Sequence, residues 1–190
     1  MVRPSVLAVL AAALVAGGCG SEPQSPPDVG TPGPPGPLTE LEIPAQGVKL
    51  KIPSAWKLER GTAEGQPLAT LTSGRATIVV WRYPRTEPLP RTTKDLEATK
   101  ASLIAAVKAR DPGFSVTSSR ILRGETRRGV EVIGTGTNEG FPRQARSLHL
   151  FGEGAEVVVD QYSTPEQFSG LDGDVFREVA NSLRLSVPSA

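Results

Sequence analysis

This 190-residue chain has few side chains suited to chemistry: one cysteine, one histidine, and 21 basic against 20 acidic residues. The cysteine, Cys19, directly follows the small residues Ala16, Gly17 and Gly18. Small residues let an extended chain enter a peptidase cleft, and the only thiol of the chain comes directly after them. His149 alternates with Leu148 and Leu150, so it faces away from both leucines on a strand. A metal would need at least two more suitable ligands beside it, and no metal site is expected. No G-x-S-x-G motif supports a nucleophilic serine. Six arginines lie within twenty-seven residues. Arg120, Arg123, Arg127 and Arg128 surround one predicted hairpin, and Arg143 and Arg146 occupy the following strand. Together they form a candidate patch for a wall-polymer phosphate or an acidic partner. Glu125, Glu131 and Glu139 dilute it, so a solvated strand face is the competing reading.

Three weaker patterns point elsewhere. Gly134, Gly136 and Gly140 nearly match a nucleotide fingerprint, but the third glycine is one position late and a strand follows, so a glycine-rich strand end and turn is expected. Asp172 and Asp174 flank Gly173 without the remaining positions of a calcium loop, and helix capping accounts for them. Asp160 and Glu153 are the carboxylates a wall hydrolase would draw on, yet no acid–base pair is legible.

Arg3, the apolar run Val6 to Ala16 and the Ala16-Gly17-Gly18-Cys19 sequence together resemble the bacterial lipobox, with Ala16 where Leu or Val is usual. The run is too short for a membrane-spanning helix, which needs roughly 20 residues. The resemblance implies that residues 1–18 are a signal peptide and that Cys19 becomes the N-terminus, held in the bacterial membrane by diacylglycerol on its sulfur. Two acyl chains make a firm anchor. Loss of Arg3 leaves 21 − 1 = 20 basic and 20 acidic side chains. A neutral chain has no delocalised field for nucleic acid, and no nucleic-acid partner is expected.

The elements that must position these residues begin after a spacer. Ser21 to Pro37 holds seven prolines and three glycines with Val29 as its one aliphatic residue. Such a stretch cannot bury enough surface to offset its ordering entropy, so residues 19–37 read as the lipidated cysteine and a linker of up to ~50 Å at ~3.1 Å per residue. Residues 38–186 read as one folded domain and 187–190 as a tail. Val48, Leu50 and Ile52 alternate with Lys49 and Lys51 as a strand that Pro53 ends, with Trp56 folding back as a core anchor. Leu68 to Leu71 and Ala76 to Tyr83 form a hairpin about Ser73 and Gly74. Thr92 with Asp95 is a capping box for a helix ending near Arg110, its buried face carrying Leu96, Leu103, Ile104 and Val107. Four more strands follow, Phe114 to Leu122, Val130 to Thr137, Gln144 to Phe151 and Glu156 to Tyr162, with turns short enough to make them antiparallel. Thr164 and Pro165 introduce a last helix that buries Val175, Phe176, Val179, Ala180 and Leu183.

Strands in runs, with one helix inserted and one at the end, predict an α+β sandwich: an antiparallel sheet of six to seven strands flanked by two main helices. The strand ending in Ile52, Pro53 and Trp56, the long helix, and the closing helix running into Ser182-Leu183-Arg184-Leu185 resemble the PsbP-like superfamily. The likeness is closest to actinobacterial lipoproteins of the LpqN and LpqT type and spans nearly all of residues 38–186. It implies a sheet covered by helices on both sides and a non-enzymatic binding or assembly subunit of the cell envelope, with no cofactor and no catalytic residue. Its expected partner is an envelope protein or wall polymer. A small apolar ligand carrier is the alternative, and a hydrolase the third reading.

Overall fold

The computed structural model describes residues 30–63, 65–124, 127–138 and 140–189. The expected signal peptide, Ala16 to Cys19 and the first part of the expected spacer lie outside the described residues. Residues 30–37 lie against the domain: the Gly30 carbonyl accepts from the Arg75 N–H at 3.1 Å, the Gly33 N–H donates to Ser73 Oγ at 2.9 Å, and the Pro35 and Pro37 carbonyls accept from Ala55 and Ser54. Residues 30–37, read from composition as part of the linker, therefore pack on the domain.

The alternation of Val48, Leu50 and Ile52 builds β2 (Val48–Pro53), with all three side chains buried. β2 pairs antiparallel with β1 (Leu38–Ile43), where the Lys49 ammonium bridges Glu40 and Glu42 across the strands at 2.6 and 2.5 Å. Trp56 folds back after the turn and meets Phe176 edge-on, with ring centroids 6.3 Å apart.

The main sheet contains β3 (Lys57–Arg60), β4 (Ala69–Ser73), β5 (Ala76–Pro84), β6 (Ser115–Arg123), β7 (Arg128–Asn138), β8 (Phe141–Gly152) and β9 (Ala155–Ser163). Its seven strands run in the order β3-β4-β5-β9-β8-β7-β6, all neighbours antiparallel. The expected six to seven strands are thus present. The Val48–Ile52 strand, however, belongs to a separate three-stranded sheet with β1 and β10 (Arg184–Leu185), and β3 takes its place in the large one. Lys57, Glu59 and Arg60 in β3 suit an edge strand, which needs charge to discourage pairing with another chain.

Between β5 and β6 runs α1 (Thr93–Arg110). Its Thr92–Asp95 capping box is complete: the Asp95 N–H donates to Thr92 Oγ1 at 3.1 Å and the Thr92 N–H to Asp95 Oδ2 at 2.9 Å. The closing helix is α2 (Pro165–Leu171), a π-helical turn (Asp172–Phe176) and α3 (Arg177–Ser182). Gln161, fully buried, donates to the Phe176 carbonyl at 2.8 Å at the end of this widened turn.

Period-two alternation gives the sheet two different faces. Ile78, Val80, Leu148, Leu150, Val157 and Val159 join Phe168, Val175, Phe176, Val179, Ala180 and Leu183 of the closing helix in a large buried core. The opposite face carries a much thinner one: Leu96, Val130, Val132 and Phe151 are buried, while Leu103, Ile104 and Phe114 are only partly so. α1 therefore covers its face incompletely, and of its four expected core residues Leu96 alone is fully enclosed.

Candidate functional site

The incomplete cover leaves a cleft of ≈ 560 Å³ between α1 and the sheet. Leu103, Ala106 and Val107 form its helix wall, with Phe114, Val132, Ala145 and Val158 as its other apolar surface; Ser147, His149, Glu156 and Asp160 are its polar floor. The β8–β9 register pairs Ser147 with Asp160 and His149 with Val158, which brings the floor side chains to one face of adjacent strands. At one end, Asp111 caps α1 and ties it to β7: its side chain accepts the Gly113 N–H at 3.0 Å and the Thr137 N–H at 2.7 Å. Gly134 and Gly136 let this end close. A Cβ on Gly134 would lie 2.4 Å from Phe114 Cζ, and one on Gly136 would lie 2.3 Å from Asp111 Oδ2. Gly140 has φ +82° in the following turn. All three glycines serve strand packing and turning, in keeping with the sequence reading.

The floor is a continuous hydrogen-bonded chain. Arg85 pairs with Glu156 Oε2, Glu156 Oε1 lies 2.6 Å from His149 Nδ1, His149 Nε2 lies 3.0 Å from Ser147 Oγ, and Ser147 Oγ donates to Asp160 Oδ1 at 2.5 Å. The serine hydroxyl has one proton and can point only one way. Aimed at Asp160, it leaves Oγ to accept an N–H from Nε2. Aimed at His149, it requires a proton on Asp160. Burial raises Asp160 above the usual carboxylate range against the opposing pull of Ser147, His149 and Arg110. At Glu156 burial also acts upward, but the hydrogen bonds and charges of His149 and Arg85 outweigh it and hold the group below its ordinary value.

Glu156, His149 and Ser147 have the connectivity of a catalytic triad. Ser147 stands mid-strand, paired with Val132 on one side and Asp160 on the other, where the ladders engage backbone N–H groups that an oxyanion would need. Glu153 sits exposed in the β8–β9 turn with φ 49°, beyond the end of the ladder, and does not face Asp160. The polar floor is suited to recognising a ligand's hydrogen-bonding groups. Sequence spacing held a signal for it: Ser147 and His149 lie two apart, as do the pairs Glu156–Val158 and Val158–Asp160. Bringing the two strands together required the position of the turn.

The six arginines do not form one patch. Arg146 is 4 % exposed on the closing-helix face, where it meets Glu131 at 2.5 Å and grips Asp172 with two bonds of 2.8 and 2.9 Å. Asp172 is therefore a buried ion-pair partner rather than a helix cap, and Arg177 also reaches it at 3.2 Å. Arg120 pairs with Glu131 at 2.7 Å, and Arg127 donates to the Ala180 carbonyl at 2.9 Å, fastening β7 to the closing helix. Arg123 and Arg128 end the β6–β7 pair. Arg143 lies toward the other end of the sheet, its guanidinium 4.1 Å from the centre of the Tyr162 ring. Among the described residues, no cluster of His, Cys, Asp and Glu could hold a metal, and no helix is long and apolar enough to cross a membrane.

No family model and no curated protein sequence matches this chain. Solved structures do. The solution structure of PsbP (CyanoP) from Synechocystis sp. PCC 6803 superposes with a TM-score of 0.62 over 78 % of this chain and 92 % of that one, at 11 % identity. The fold is PsbP-like. LpqN of Mycobacterium tuberculosis, described as involved in cell envelope biogenesis, matches this PsbP-like domain with a TM-score of 0.53 over 79 % of it and 91 % of LpqN, at 17 % identity. The Saccharomyces cerevisiae Ran-binding protein Mog1p matches with a TM-score of 0.53 over 80 % and 96 %, at 7 % identity. Identities this low establish shared architecture, here a sheet with helices on both faces.

Proposed function

We propose that this protein is a non-enzymatic binding module of the bacterial cell envelope, anchored through a lipid on Cys19, that engages its partner at the cleft beneath α1. The observation that carries the reading is the ≈ 560 Å³ space left where α1 buries only Leu96 completely, floored by the Glu156–His149–Ser147–Asp160 chain. Apolar walls with a few convergent polar groups are the usual make-up of a binding site. The anchor rests on the lipobox-like residues Ala16 to Cys19, and the fold shared with LpqN is in keeping with an envelope role.

The volume of the cleft also favours a second reading, a carrier of a small apolar ligand. One experiment separates the two. Native mass spectrometry and in-cell cross-linking are applied to the wild type and to Ala106→Trp, whose indole fills the cleft from the helix wall. A co-purifying small mass lost in the variant indicates the carrier, and a cross-linked envelope protein lost in the variant indicates the binding module. Binding of either kind that persists in a folded Ala106→Trp protein refutes the cleft as the site. Cys19→Ser tests the anchor separately, by release of the protein from membranes.

A further inference from the structure

We propose that the end of the domain bearing Arg75, Phe141 and Arg143 rests on the anionic phosphate headgroups of the membrane that holds the protein. The inference depends on the lipid-anchor reading of Cys19 and is independent of what occupies the cleft.

The tether reaches the domain at this end. The Gly30 carbonyl accepts from the Arg75 N–H at 3.1 Å and from Gln167 Nε2 at 3.4 Å, beside the β4–β5 turn. The same end of the sheet brings together Arg75, Phe141, Pro142, Arg143, Tyr162 and Thr164 around a shallow depression of ≈ 310 Å³. Phe141 is 62 % exposed, the second most exposed large hydrophobic among the described residues. Arg75 lies 5.8 Å from the Phe141 ring centre and Arg143 4.1 Å from that of Tyr162. Among the described residues, neither guanidinium has a carboxylate partner. Asp111, which lines the neighbouring hollow with Arg143, is engaged by the Gly113 and Thr137 N–H groups. Two cations without a carboxylate partner among the described residues, beside an exposed aromatic ring, match an interface of phosphates above acyl chains, where aromatic rings concentrate and each arginine adds roughly fivefold to association with an anionic surface.

Chain length disfavours the opposite orientation as a resting state. Eleven residue steps separate Cys19 from Gly30. They span at most about 40 Å at ~3.6 Å per step. β8, from Phe141 to Gly152, is itself about 37 Å long at ~3.4 Å per residue. Bringing the far end to the membrane would demand a nearly straight tether along the whole domain, whereas the Arg75 end needs almost none of that reach.

The test uses the acylated mature protein on phosphatidylglycerol–phosphatidylethanolamine vesicles. Cys19 is consumed by the lipid, so Phe141→Cys supplies one free thiol for an NBD label, and Glu87→Cys, in the loop at the far end, supplies the control. Nitroxide-headgroup lipid should quench the label at 141 and spare that at 87. Combined Arg75→Gln and Arg143→Gln should lower the contact about 25-fold, as two fivefold factors multiply, and phosphatidylcholine vesicles should lower it similarly. Equal quenching at 141 and 87 on protein that floats with the vesicles overturns the proposal and leaves the anchor standing, as does quenching at 141 that is unchanged by the arginine substitutions. Protein that carries no acyl label and fails to float overturns the anchor and this proposal with it.

Discussion

Replacing Arg146 by Met tests the assignment of this residue to the interior. Its side chain is 4 % exposed and sits between two carboxylates, Glu131 at 7 % and Asp172 at 12 %. Met matches the aliphatic stem but leaves both carboxylates without their central cation. Arg120 and Arg177 still touch them, yet these side chains are 55 % and 58 % exposed, and their attraction is screened by water. Breaking a buried pair by removing one partner costs about 3–5 kcal/mol, whereas a surface pair is worth about 0–1 kcal/mol. For a domain of this size each kcal/mol moves Tm by about 2–4 °C, so Arg146→Met should lower Tm by roughly 6–20 °C. Calorimetry gives the Tm, and urea unfolding followed by tryptophan fluorescence gives the free energy. The triple variant Arg146→Met, Glu131→Leu, Asp172→Leu removes the stranded charges and should recover most of the loss. A cost below about 1 kcal/mol for Arg146→Met would refute the buried bridge and return Arg146 to the surface.

Two further substitutions probe the cleft itself. Asp160 is held above its ordinary 3.8 mainly by burial. A carboxyl raised in the folded state lends stability that is complete below the unfolded value and is lost as pH rises through the folded one. Asp160→Asn, which mimics the neutral form, should therefore melt above the wild type at neutral pH and converge with it as pH falls toward 3.8; a constant difference across that range would count against the burial argument. Gly134→Ala places a methyl group 2.4 Å from Phe114 Cζ and 2.6 Å from the Ser115 carbonyl oxygen. It should cost about 1–3 kcal/mol by overpacking, measured by urea unfolding, and an unchanged midpoint would show that the cleft end is not closed by this contact.

Local pattern was enough to define much of this protein. Strand alternation at Val48 to Ile52, the Thr92–Asp95 capping box and the buried face from Val175 to Leu183 all lie within a few residues of one another, and each reappears as expected. Together they gave the α+β class. Short-range signals could not assign β2 to its own small sheet, because pairing with β1 and β10 is a choice among distant partners. Nor could they show that Gly30 to Pro37 packs on the domain, since proline-rich composition alone looks like a free linker.

The arginines and the lone histidine mark the boundary between the two kinds of knowledge. Alternation placed His149 opposite its flanking leucines, and that held. Its partners depended on the β8–β9 register, which aligns Ser147 with Asp160 and brings Glu156 within reach of the ring. Arg143 and Arg146 are three residues apart on one strand, an odd spacing that sends them to opposite faces: one stacks on Tyr162 near the tether, the other is buried under the closing helix. Sequence determined the charge, the period and the caps, which arise from neighbours along the chain. Tertiary structure alone decided which charges are buried, which face water and where the cleft opens, because those outcomes depend on residues that only folding brings together.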